Sequence, residues 1–227
     1  MLLTALMLGA STSWAKPLDD VIAAEARGDH ATALRILRPL AAKSDADAQF
    51  YLGWMYYQGL GVVQDYTEAL KWFRLSAAQG NEYAQNNVGQ MYSDGKGVVQ
   101  DHAEAVKWYR LAAAQGSARA QSNLGHEYYE GLGVVQDYAE ALKWFRLSAA
   151  QGNANGQNNL GVMYYEGHGV LQDYVRAHMW FNLGAASGYA DAVKNRDFIA
   201  NQMTPQQIAD AQKMARDCQK SNFKSCE

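Results

Sequence analysis

Apolar side chains recur along this chain with two spacings at once, three to four residues inside a segment and 36 residues between segments. Gly53, Gly89, Gly125 and Gly161 fall in register. So do Trp72, Trp108, Trp144 and Trp180, the aspartates 65, 101, 137 and 173, and the closing glycines 80, 116, 152 and 188. One stretch, "GLGVVQDYTEALKWFRLSAAQGN" at 59–81, returns at 131–153 with only Thr67 and Ala139 differing. A fixed period of this size identifies a solenoid or an array, because one unit alone cannot bury its apolar face.

Each unit reads as two helices. The first, helix A, runs over "NEYAQNNVGQMYSDG", with Ala84, Val88, Met91 and Tyr92 at helical spacing. It stops at Gly95-Lys96-Gly97, where glycine supplies the left-handed conformation of a helix end. Helix B follows an aspartate whose carboxylate caps it, with an acidic residue three positions on: Asp65 with Glu68, Asp101 with Glu104, Asp137 with Glu140. In the fourth unit Asp173 is followed instead by Arg176. On helix B, Tyr66, Ala69, Leu70, Phe73 and Ala77 form one face, which Trp72 and Leu75 extend around the cylinder. That stripe is wider than a surface helix needs and predicts neighbours on two sides. Glycine within helix A disfavours the helix by about 1 kcal/mol, so close helix packing is its expected reason.

The register continues beyond the obvious units. In residues 28–49, Ala33 matches Ala69, Leu34 matches Leu70 and Ile36 matches Trp72, but the "GLGVV" linker is lost and serine replaces the closing glycine. This predicts a divergent N-terminal cap, since a terminal repeat has no outer neighbour. At the other end, "GYADAVKNRDFIANQ" begins like helix A without its central glycine. Thr204-Pro205 then starts a last helix, with threonine at the N-cap and proline at the first helical position.

The pattern "A-Q-x-N-L-G-x-x-Y-x-x-G-x-G-V-x-Q-D-Y-x-x-A-x-x-W-x-x-x-A-A-x-Q-G" resembles the Sel1-like repeat, a relative of the tetratricopeptide repeat. Four copies, at 46–80, 81–116, 117–152 and 153–188, match nearly every position. The resemblance implies an all-α fold, a right-handed α/α superhelical solenoid of helix-turn-helix repeats. Residues 16–45 would form N-terminal capping helices, and 189–227 C-terminal capping helices and a tail. It also implies an adaptor that holds another protein or peptide, as in bacterial envelope, secretion or host-contact settings.

Composition narrows the alternatives. Of 227 residues 48% are hydrophobic and 19% charged, a globular balance. The net charge of −3, with lysine and arginine spread evenly, lacks the clustered basic surface that nucleic acid requires. The first fifteen residues, "MLLTALMLGASTSWA", carry a short apolar core and small residues at Ser13 and Ala15. They read as a signal peptide releasing a chain that starts at Lys16, bound for the periplasm or the exterior. The apolar run is too short to span a bilayer, which takes about 20 residues. Export permits a disulfide between Cys218 and Cys226 that ties down the tail, contributing about 2–3 kcal/mol. No histidine lies near either cysteine, so a metal site is not expected there. No cofactor is expected, and the adaptor is expected to be monomeric.

Candidate binding residues are those without an evident structural duty. Asn87, Asn123 and Asn159 recur on helix A, with Asn86 and Asn158 beside two of them. Stacked repeats would align these amides into a ladder able to donate to and accept from a peptide backbone; the competing role is bonding between repeats. Positions that vary between units are candidates for partner choice: Trp54, Gln90, His126 and Val162 at one site, Phe50, Asn86, Ser122 and Asn158 at another. Trp54 and Phe50 lack aromatic counterparts there and offer an apolar anchor at one end of the face.

The alternative is an enzyme acting on cell-wall peptide or β-lactam, because some Sel1-like proteins are described as penicillin-binding or β-lactamase-like. The required S-x-x-K occurs at Ser93–Lys96 and Ser221–Lys224, but no S-D-N or K-T-G follows. There is no phosphate loop and no H-x-x-x-H or H-E-x-x-H pair among the histidines. His178 occupies the Leu70 and Leu142 position and is expected in the core. Catalytic residues are therefore not expected.

Overall fold

The computed structural model describes residues 15–223 and Cys226. The expected leader lies outside the described residues except for Ala15, as does Lys224. The described residues form twelve α-helices and no strand. They divide between Gln100 and Asp101 into two compact units. The first holds α1 (Ala15–Ala26), α2 (His30–Ala42), α3 (Ala46–Gln58), α4 (Tyr66–Ala78) and α5 (Glu82–Asp94). The second holds α6 (His102–Ala114), α7 (Ala118–Glu130), α8 (Tyr138–Ala149), α9 (Ala154–Glu166), α10 (Tyr174–Ala186), α11 (Ala190–Ala200) and α12 (Pro205–Lys220).

Helix boundaries follow the local chemistry of the sequence. Asp65 accepts from the backbone N–H groups of Thr67 and Glu68, and Asp137 from those of Ala139 and Glu140. Asp101 caps α6 through the Glu104 N–H. The fourth cap survives its altered partner: Asp173 accepts from the Arg176 N–H and its other oxygen pairs with the Arg176 guanidinium at 3.0 Å. Each such cap contributes about 1 kcal/mol. Helix A of the third repeat stops at Gly131, whose φ of 72° suits a residue without a Cβ. Ser44, standing where later units have glycine, adopts φ 64° all the same. Thr204 completes a reciprocal capping box with Gln207 ahead of Pro205.

Within each unit, helix B lies between two A helices. α4 packs on α3 and α5, and α8 packs on α7 and α9. Phe73 and Phe145 are buried at the centre of these layers. A Cβ at Gly53 would stand 2.8 Å from the Phe73 ring, and one at Gly125 would stand 2.7 Å from Phe145. The central glycine therefore exists to seat this ring. The breadth of helix B is smaller than its sequence implies: Leu75 and Leu147 are each 44% exposed. Leu183, their counterpart on α10, is only 2% exposed in the helix against which α12 packs.

Glutamines join successive helix pairs throughout, with asparagines adding bonds at two places, Asn81 to Asp47 and Asn195 to Asn158, each at 2.9 Å. Gln49 donates to the Ala41 carbonyl at 3.1 Å, Gln85 to Ala77 at 3.2 Å, Gln121 to Ala113 at 3.4 Å and Gln157 to Ala149 at 3.5 Å. All four glutamines are buried. Gln79 and Gln151 extend this by donating to the Gln49 and Gln121 side chains, each at 2.8 Å. Ser76 and Ser148 donate to the carbonyls of Ala46 and Ala118. Ala41, Ala77, Ala113 and Ala149 each also accept a backbone N–H from the residue three positions on, so the glutamine adds a second bond to a carbonyl at the end of helix B. The "A-Q" dipeptide opening each repeat was the available signal for this role.

The tail is closed by a Cys218–Cys226 disulfide, with Cα atoms 4.7 Å apart and Cys218 fully buried. Phe223 folds back so that its ring lies against Gly152, between α8 and α9.

Candidate peptide-binding site

In the first unit, a small depression between α3 and α5 is lined by Trp54, Tyr57, Asn87 and Gln90. Its walls come from residues three apart on each helix, which share one helix face. Trp54 and Tyr57 rings lie nearly parallel, 12° between planes and 5.9 Å between centroids. Across from them, Gln90 is exposed and Asn87 half-buried. The Asn87 side chain makes no hydrogen bond among the described residues, so its amide is not spent on holding the stack.

A charged pair borders the depression. Lys96 donates to the Tyr57 hydroxyl at 3.0 Å, pairs with Asp94 at 3.0 Å and lies 5.5 Å from the centre of the Tyr57 ring. The Tyr57 hydrogen bond, with Asp94 in support, raises the Lys96 pKa well above the ordinary lysine range. Lys96 is thus held as an ammonium, opposite to the unprotonated amine that activates serine in S-x-x-K chemistry. Ser221 of the second match donates to the Cys218 carbonyl.

The second unit holds the corresponding positions 72 residues later, His126, Tyr129, Asn159 and Val162. His126 is exposed and Asn159 half-buried. His168 takes the place of Lys96; it stacks on Tyr138 at 4.3 Å, contacts the Tyr129 hydroxyl at 3.1 Å and pairs with Glu166 at 3.1 Å. Burial, then the hydrogen bond to Glu166, pushes the Tyr129 phenol far above its usual range. Asn159 accepts a long 3.4 Å contact from Asn158, and Asn158 accepts from Asn195 at 2.9 Å. Asn123 is half-buried on α7.

Two members of these series escaped the sequence reading. Asn195 continues the series of Asn159, and exposed Phe198 continues that of Val162; Phe198 meets Tyr165 edge-on at 6.0 Å. The replacement of the central glycine by Asp197 hid the register of α11. Phe50, by contrast, lies half-buried against Tyr51, Phe73 and Tyr83, while its counterparts Asn86, Ser122 and Asn158 are buried. That position is therefore mainly internal, and Trp54 alone of the two anchors lines the depression.

Buried polar substitutions also distinguish the units. Glu127, 2% exposed, stands where the other repeats bury Met55, Met91 and Met163, and it pairs with His102 at 3.1 Å. His178 is buried in α10 as expected, with its Nδ1 unpartnered among the described residues. Burial, with Arg196 nearby, lowers its pKa. No group of three or more residues able to hold a metal occurs among the described residues, and no described helix is long and apolar enough to cross a membrane.

Comparison with known proteins matches the Sel1 repeat model to residues 46–81, 82–117, 118–153 and 154–189. Among solved structures, a Sel1 repeat protein from Oxalobacter formigenes is 34% identical, with 78% of this chain and 70% of that one aligned and a TM-score of 0.71. A protective antigen present in uropathogenic Escherichia coli strains, with an SLR fold, is 35% identical with a TM-score of 0.69; the alignment covers 85% of this chain and 42% of that one. A sel1 repeat protein from Klebsiella pneumoniae shares the fold at 19% identity and a TM-score of 0.55, covering 81% and 91% of the two chains. No curated protein gives a significant match.

Proposed function

The chain belongs to the Sel1 repeat family, and from that premise we propose that it is an exported scaffold that binds another protein or peptide through the concave face lined by its A helices. The single observation that carries this reading is the Asn87 side-chain amide, placed in a small depression opposite two aromatic rings with no hydrogen-bond partner among the described residues. An amide both donates and accepts, which suits an extended peptide backbone. Bonds between helix pairs are supplied by Gln49, Gln85, Gln121 and Gln157, and the Asn87 side chain takes no part in them. Export rests on the composition of residues 1–15 and agrees with a disulfide in the tail. The enzyme reading receives no support from Lys96, whose ammonium is engaged by Tyr57 and Asp94.

Crosslinking in the native envelope, followed by identification of the trapped species, tests this function. Replacing Asn87, Asn123 and Asn159 by alanine should weaken capture at least about tenfold while helical circular dichroism is unchanged. Equal capture by the folded triple variant would refute the role of these amides.

A further inference from the structure

We infer that the Trp54 depression is an anchor site for a proline-containing peptide segment in the polyproline II conformation. This deepens the peptide-binding reading and rests on it. The depression is small and its apolar wall is a pair of nearly parallel rings, Trp54 and Tyr57. A long side chain finds little room there, whereas a prolyl ring is compact, able to lie against the rings and already fixed in conformation. The opposite wall offers the amides of Asn87 and Gln90, neither bonded to the rest of the described chain.

A polyproline II segment suits that wall because it has no internal hydrogen bonds, so its carbonyls stay free to accept from the two amides. Proline brings no N–H that would need an acceptor of its own. Aromatic-lined grooves take such segments with little loss of entropy, because the peptide is preformed. Charge does not select against a neutral ligand: Lys96 at the border is already neutralised by Asp94. A sugar ring would also stack on Trp54, but its several hydroxyls call for more polar partners than two amides, and no carboxylate lines the depression.

The site is specific to the first unit in its sequence. One repeat on, Tyr57 is replaced by Ser93; two repeats on, Trp54 is replaced by His126. Proline selectivity should therefore depend on Trp54, while any binding along the remaining A helices should not.

The test titrates the full mature chain with a fluorescein-labelled, end-blocked nonapeptide of repeating Pro-Pro-Gln, and with its counterpart carrying alanine at every proline, up to millimolar peptide. We expect saturable anisotropy for the proline peptide, at least tenfold weaker binding of the alanine peptide, and at least tenfold loss with Trp54→Ala. Side-chain amide signals of Asn87 and Gln90 should shift in nitrogen-15 spectra on addition of the proline peptide. Equal binding of both peptides, no binding of either, or displacement by chitotriose but not by unlabelled proline peptide would overturn the inference. Capture of a partner that depends on Asn87 but not on Trp54 would do so while leaving the adaptor function intact.

Discussion

The Trp54 site and its counterpart 72 residues later stand on almost the same local sequence, yet their surfaces differ in kind. In the first unit, Trp54 and Tyr57 face two amides beside the ammonium of Lys96. In the second, the exposed His126 and the His168–Tyr129–Glu166 cluster occupy the matching positions, with Val162 in place of Gln90. Beneath them the packing is conserved between the copies: Phe73 on Gly53, Phe145 on Gly125, and the same glutamine bonds. The difference teaches that a close copy preserves its frame and diverges where packing places no demand.

The frame should respond alike in both units. Phe73→Ala and Phe145→Ala are each expected to lower unfolding free energy by about 3–5 kcal/mol, since each empties the centre of a helix layer. Urea denaturation measures both, and a difference of more than about 1 kcal/mol between them would break the claim of equivalent packing.

A smaller effect separates the units through a core position. His178 occupies the place of Leu70 and Leu142 and is buried. Burial lowers its pKa, so folding favours the neutral ring while the unfolded chain takes up the proton more readily. Its contribution to stability is thus full above the ordinary histidine value and falls as the pH drops through that value and below. Replacing His178 by leucine should flatten this part of the pH dependence in melting temperatures recorded from pH 7.5 down to pH 5. An unchanged slope would exclude His178 as its source.

The smallest expected effects lie on the surface. His126→Ala should change stability by no more than about 0.5 kcal/mol, because its side chain is exposed. Trp54→Ala should cost about 1 kcal/mol, because Trp54 is half-buried and stacks on Tyr57. Thermal melts of the two variants sharpen the comparison: a large loss at Trp54 alone would make it a cap residue and not a binding residue.

Much of this architecture is written in short-range chemistry. The aspartate caps, the glycine stops and the 36-residue register each follow from local sequence, and the structure places them accordingly. The register failed at α11, where Asp197 replaces the central glycine, and so Asn195 and Phe198 went unrecognised. Leu75 also misled: its apolar character suggests contact, but no helix covers it. Phe50 matched the anchor role by composition, yet the fold turns it against Phe73 and Tyr83.

The sequence by itself determined where helices begin and end, because caps and stops act within a few residues of the groups they satisfy. It also determined the repeat, because periodic burial needs periodic side chains. Only the tertiary structure decided which amides are spent and which are free. That outcome depends on whether a carbonyl of the preceding helix comes within reach: one does for Gln85, at Ala77, whereas Asn87 on the same helix finds none.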